Sequence, residues 1–178
     1  MRCFGDGDAL YEAYHDTEWG RPQVTERQLY EKICLEGMQA GLAWITVLRK
    51  REAFREVFYG FDPALVVSVD IEPLLQDARI IRARAKLQAC ITNAHAVLAM
   101  DGGLVDLIWS YRVDGPAATT WAATTPGSVE LSKKLKKLGF TFVGPTTVYS
   151  LMQACGVVND HRADCEIRDE VEAQRQAL

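Results

Sequence analysis

Apolar residues recur along this chain at spacings of three and four, and no apolar-polar alternation persists long enough to build a sheet. Residues 10–19 make a short amphipathic helix that Gly20, Arg21 and Pro22 end. Thr25 with Gln28 three positions later is a capping-box start, in which each side chain accepts from a backbone N–H at the helix entrance. Leu29, Tyr30, Ile33 and Cys34 then give a helical stripe, expected to stop near Gly37. A second long helix is expected over 39–57, apolar first and charged later. Asp62-Pro63 and the run from Asp70 to Pro73 open two short helices. Residues 82–100 read as a long helix with Leu87, Ile91, Ala94 and Leu98 inward, ended by Gly102 and Gly103. A further helix over 104–111 is closed by Asp114, Gly115 and Pro116. Residues 117–127, rich in Thr and Ala, form the expected long loop. A basic helix over 128–138 with Gly139 as its C-cap and an apolar helix over 148–155 complete an all-α chain without internal repeats.

One stretch, from Leu35 to Leu48, changes the picture from fold to chemistry. It sets a carboxylate, Glu36, and a large aromatic, Trp44, in a segment otherwise apolar apart from Gln39 and Thr46. A buried Glu is costly unless paired, which suggests a pocket wall where another molecule completes its hydrogen bonding. The plainer alternative is a helix-terminal Glu that reaches solvent, with Gly37 as C-cap and Trp44 in the core.

The length of 178 residues fits one compact helical domain, or two small lobes with a pocket between them. With 48% apolar and 25% charged residues the composition is that of a soluble globule. No run approaches the ~20 apolar residues a membrane helix needs, and the first residues lack a signal-peptide core, so a cytoplasmic protein with no membrane partner is expected. Five cysteines, an odd number and widely spaced, do not read as a disulfide framework. The net charge of −4 is unevenly spread, because the tail over 164–178 holds five acids against two bases and leaves the body nearly neutral. Bases cluster at Arg49, Lys50 and Arg51, at Arg79, Arg82, Arg84 and Lys86, and at Lys133, Lys134, Lys136 and Lys137. Each cluster is either a phosphate-binding patch or a solvated helix face.

Two constellations carry candidate chemistry. Cys3 and His15 near the start, with His161 and Cys165 near the end, offer a Cys2His2 set of the kind tetrahedral zinc prefers. On a helix, His161 and Cys165 at i, i+4 would face one way; a chance pair is the alternative. Cys34, Cys90 and Cys155 lie in apolar stripes and read as small core residues. The second is the Gly144-Pro145-Thr146-Thr147 turn into a helix. Free backbone N–H groups and the helix dipole there favour an anion, as when a helix-hairpin-helix element holds a DNA phosphate. A tight helix–helix turn without a ligand is the alternative.

Three stretches together carry a resemblance. Leu10-Tyr11-x-x-Tyr14-His15-Asp16-x-Glu18-Trp19-Gly20, Leu35-Glu36-Gly37-x-Gln39-Ala40-Gly41-Leu42-x-Trp44-Ile45-Thr46, and Phe142-Val143-Gly144-Pro145-Thr146-x-x-Tyr149 with Val158-Asn159-Asp160-His161 resemble the signature segments of the 3-methyladenine DNA glycosylase I family. The resemblance runs over residues 3–165. It implies a helix-hairpin-helix superfamily fold, one structural zinc on Cys3, His15, His161 and Cys165, and hydrolytic removal of N3-methyladenine from alkylated double-stranded DNA by a monomer. It also implies that Glu36, Tyr14 and Trp44 line the base pocket, with Glu36 as the catalytic carboxylate. Gly41, Leu42, Gly144, Pro145, Thr146 and Thr147 become DNA-contact candidates, Leu42 as the residue that fills the gap left by an extruded base. Asp160 reads as structural, orienting His161. The chain departs from the family at Phe4, where a Trp is common, and at Arg79 and Ala85, where relatives often carry glycine. Two other readings stand beside this one: a non-catalytic damaged-DNA binding module, and a zinc hydrolase of another substrate, which would need an open metal position.

Overall fold

The computed structural model describes residues 1–5, 7–117 and 122–178, and among these the chain is all helical, with one isolated bridge between Pro116 and Asn159. The centre is α2 (Glu26–Gln39), entered through the expected Thr25–Gln28 capping box. From Leu29 to Met38 every residue except Glu31 is buried. A helix buried on all sides must be surrounded, and α2 packs against α3 (Trp44–Val57), α6 (Arg84–Leu98), α7 (Leu104–Trp109) and α9 (Pro145–Ala154). Before it comes α1 (Ala9–Thr17), capped by Asp8. Two short helices, α4 (Pro63–Val66) and α5 (Ile71–Leu74), start at the predicted caps Asp62 and Asp70 and lie along α6.

Several boundaries differ from those the sequence suggests. Helix α2 runs past Gly37 to Gln39, so Gly37 is no C-cap; a Cβ there would meet Phe142 Cβ at 3.2 Å, which accounts for the missing side chain. The expected 39–57 helix is broken, because Gly41 adopts φ +78° in a tight turn whose Leu42 N–H donates to Gln39 O. Lys86 of α6 holds that turn, its Nζ donating to the carbonyls of Met38 and Ala40. Leu98 is 53% exposed rather than inward, since α6 ends with it. Of the expected 117–127 loop, residues 118–121 lie outside the described residues.

Helices α8 (Pro126–Lys137) and α9 pack together as a hairpin, with Gly139 at φ +94° and Phe142 at φ +55° in the turn and Gly144 as the N-cap of α9. Helix α9 begins at Pro145, three residues before the expected start. The acidic stretch after Cys165 is ordered as α10 (Arg168–Gln176). Its Val171, Glu172 and Arg175 are buried, and Arg175 ties the helix down through the carbonyls of Val113, Gly156 and Val157. The amino terminus meets this end of the chain, Met1 donating to Asp164 O and to the Glu166 carboxylate.

Candidate active site and metal centre

Helix α2 delivers Glu36 to a cavity of about 230 Å³ lined by Phe4, Tyr11, Tyr14, Trp19, Gln39, Trp44, Ser150 and Gln153. Glu36 is 5% exposed and makes no ion pair among the described residues. Burial pushes its carboxyl up to about 7, against the pull of Lys32 one turn earlier. Tyr14 comes from α1 and Trp44 from the first position of α3, their rings 5.4 Å apart and tilted at 43°. Trp44 can reach the cavity because the 40–43 turn redirects the chain before α3 starts. The indole N–H of Trp44 is buried without a hydrogen-bond partner among the described residues. Burial and the Glu36 charge together raise the Tyr14 phenol well above its ordinary value, so it is a neutral donor. Phe4 takes its place in the aromatic wall, 4.7 Å from the Tyr11 ring and 5.1 Å from Trp19.

Beside this cavity a second, of about 200 Å³, shares Glu36, Gln39 and Ser150 and adds Ala40, Gly41, Leu42, Thr146 and Thr147. Residues from the 40–43 turn and from the first turn of α9 thus meet at one opening. Leu42 is 40% exposed at its edge. In an α-helix the first N–H groups have no intrahelical partner, so the start of α9 offers those of Thr146 and Thr147 to this opening.

The sequence grouping of cysteines and histidines also comes together. The ligand atoms of Cys3, His15, His161 and Cys165 lie within 4.8 Å of one another, all four residues buried. Cys165 Sγ is 3.5 Å from His15 Nε2 and 3.4 Å from His161 Nδ1, and Cys3 Sγ is 3.5 Å from His161 Nδ1. The outer nitrogens fix both tautomers. His15 Nδ1 donates to Asp16 Oδ1 at 2.8 Å and His161 Nε2 donates to Trp19 O at 3.1 Å, since each of these oxygens only accepts. The inner nitrogen of each imidazole therefore carries the lone pair; that of His161 faces both thiols, and that of His15 accepts from Cys3 N–H at 3.1 Å beside Cys165 Sγ. Burial lowers His161 to about 4, keeping it neutral, and Arg2 with His15 holds Asp16 down to about 2. The donor set fits a metal ion. His161 and Cys165 are not on a helix as their spacing suggests; a turn closed by Cys165 N–H to Arg162 O brings them together. Asp160 Oδ2 accepts from Tyr149 Oη and Gln153 Nε2, and His161 Nε2 donates to the Trp19 carbonyl.

The basic clusters differ in how far they are neutralised. Arg49 pairs with Asp8 and Arg51 with Glu18, while Arg79 pairs with Asp77 and Glu56 and Arg84 with Glu72. On α8, Lys134 pairs with Glu130, but Lys133, Lys136 and Lys137 make no ion pair among the described residues. Sequence patterning does not single out Lys32, Gln39, Ser150 or Gln153. Lys32 carries a signal, a charge in the apolar stripe one turn before Glu36, and Gln39 a weaker one, a polar side chain in an apolar stretch; Ser150 and Gln153 carry none.

The methyladenine glycosylase family model matches residues 4–169. The chain is 52% identical over 170 residues to DNA-3-methyladenine glycosylase 1 of Escherichia coli (strain K12), covering 89% of this chain and 91% of that protein. It is 47% identical over 177 residues to the DNA-3-methyladenine glycosylase of Haemophilus influenzae, covering 92% and 96%. A crystal structure of 3-methyladenine DNA glycosylase I superposes with a TM-score of 0.87 at 47% identity, covering 93% of this chain and 98% of that one. The Staphylococcus aureus enzyme, solved to explain its recognition of 3-methyladenine, superposes with a TM-score of 0.86 at 34% identity, covering 93% and 94%. This chain belongs to the methyladenine glycosylase family.

Proposed function

We propose that this protein is a base-excision repair enzyme that extrudes N3-methyladenine from alkylated double-stranded DNA and hydrolyses its glycosidic bond, leaving an abasic site. The observation that carries the reading is a buried carboxylate, Glu36, that faces an aromatic cavity and makes no ion pair among the described residues. An adenine methylated at N3 is a cation with a weakened glycosidic bond, so the base departs without a strong acid. Glu36 accepts from the exocyclic amine and its charge favours the cation over neutral adenine. Tyr14 and Trp44 present ring faces that attract positive charge by ~0.5 to 2 kcal/mol. As the bond breaks, its electron pair neutralises the base, the sugar becomes oxocarbenium-like, and water adds to the sugar carbon and loses a proton to solvent.

Leu42 at the tip of the 40–43 turn fills the space vacated in the base stack, with Gly41 allowing the turn to approach. Gly144, Pro145, Thr146 and Thr147 open α9 as the second half of a helix-hairpin-helix element whose free N–H groups take a backbone phosphate. Unstacking costs less for a damaged base, which adds selectivity. Cys3, His15, His161 and Cys165 hold one zinc ion. Four protein ligands leave no open position, so the metal ties the two ends of the chain rather than activating water. That saturation favours excision over the metal-hydrolase alternative.

The test is chromatography of the free bases released from methylated duplex DNA by the wild type and by Glu36→Gln. Release of 3-methyladenine by the wild type and its loss in the variant is the expected result. A binding module would release nothing, and Glu36→Gln would leave its affinity for damaged DNA intact.

A further inference from the structure

Lys32 is 8% exposed, yet it makes no ion pair among the described residues. Its ammonium donates a long hydrogen bond to Tyr14 Oη at 3.4 Å and faces the Tyr14 and Trp44 rings at 5.0 and 5.2 Å. It does not line the base cavity. It lines a separate one of about 250 Å³ with Glu18, Gln23, Gln28, Glu31, Arg51 and Arg55. The acids there are each paired to an arginine, Glu18 to Arg51 and Glu31 to Arg55, and Lys32 adds a smaller pull on Glu18. Glu36, one turn further along α2, is the matching group of opposite sign. Helical neighbours at i, i+4 stand on one face, their Cβ atoms ~5 to 6 Å apart.

We propose that Lys32 is a positioning residue of the base pocket: from behind the Tyr14 and Trp44 rings it supplies the charge that balances the Glu36 carboxylate and fixes the direction of the Tyr14 hydroxyl. The proposal rests on the excision reading given above. An ammonium only donates, so Tyr14 Oη accepts from it and keeps its own proton for an acceptor in the cavity. Around Glu36 the facing groups are Tyr11 and Tyr14 from the α1 side, Trp44 from α3, and Ser150, Gln153 and Cys155 from α9 and its end. None of these is a cation. Lys32 is therefore the charge that opposes the burial of Glu36, and the ionised carboxylate is the form that prefers a cationic base. Ion-pairing to Glu36 directly would consume that preference; the placement of Lys32 against the rings leaves the carboxylate free to accept.

The test uses the metal-loaded full chain with Lys32→Met, which keeps length and loses charge, Lys32→Gln, which keeps a donor to Tyr14, and Lys32→Arg, which restores the charge. The Glu36 side-chain carboxyl is followed by 13C NMR against pH, its resonance identified by its loss in Glu36→Gln, and 3-methyladenine release is profiled over the same range. In Lys32→Met and Lys32→Gln the carboxyl is expected to titrate at higher pH than in the wild type, and Lys32→Arg to return it. The acid limb of release moves with it, giving on the order of a tenfold loss below the midpoint and convergence above it. An unmoved carboxyl in folded Lys32→Met or Lys32→Gln overturns the proposal, as does a move in one of them alone. A wild type that releases no base while its carboxyl responds as expected breaks the excision reading and leaves the electrostatic role of Lys32 standing.

Discussion

The Cys/His cluster and the aromatic cavity are neighbours on α1, supplied by His15 and Tyr14 in adjacent positions, and they treat polar groups in opposite ways. In the cluster both imidazoles are fully engaged: inner nitrogens face the thiols and outer nitrogens are fixed by Asp16 and the Trp19 carbonyl. In the cavity, among the described residues, Glu36 has no ion pair and the Trp44 N–H has no partner. A saturated site stabilises the chain that builds it. An unsaturated one costs the fold free energy that a ligand recovers by completing the missing hydrogen bonds.

That contrast can be broken most forcefully at the cluster. Stripping the metal with a chelator is expected to lower Tm by at least about 10 °C and to remove activity with it, because a structural site contributes folding energy directly. A thermal scan with an unchanged Tm after verified metal removal would rule out the structural role. Glu36→Gln probes the opposite case. The folded carboxyl titrates near 7, above the ordinary carboxylate value, so its favourable contribution is complete at low pH and is lost as pH rises toward 7. The variant should therefore gain about 3 kcal/mol at pH 8, with little gain near pH 4, while base release falls on the order of 10²-fold. Destabilisation at pH 8 would contradict the claim that this carboxylate is held at a cost to the fold.

Smaller effects sharpen the boundary between the two regions. Leu42→Ala removes an exposed side chain at the rim, so Tm should hold while excision from duplex falls roughly tenfold and excision from single strands falls less. Equal losses on both substrates would remove Leu42 from base extrusion. Replacing Lys133, Lys136 and Lys137 by Ala should leave the cavity intact and weaken DNA binding uniformly across sequences, the salt slope falling by about one for each lysine that neutralises a phosphate. An unaltered salt slope would place the DNA elsewhere.

Much of this is legible in the chain because it is local. The capping box at Thr25 and Gln28, the caps Asp62 and Asp70 and the α2 stripe each depend on a few consecutive residues, and all of them stand in the structure at the expected positions. The buried Glu36 is legible for the same reason, as a charge inside an apolar run. Where pattern and structure part, the deciding neighbour comes from far along the chain. Gly37 looks like a helix end until Phe142 is known to press on it, and the 39–57 helix looks continuous until Lys86 is seen holding the turn at 40–43. The acidic residues after 165 look like a solvated tail because the carbonyls that accept from Arg175 belong to residues 113, 156 and 157. His161 and Cys165 are a mixed case, since the residue types point to the cluster and the helical spacing does not hold. Sequence by itself determined the all-helical class, the helix caps, the carboxylate inside an apolar run and the stock of metal-ligating side chains, because propensity, capping and hydrophobic period act over one or two turns. Only the tertiary structure decided which residues wall the cavity and that Lys32 stands behind it, because those placements are set by packing between segments that the linear order keeps apart.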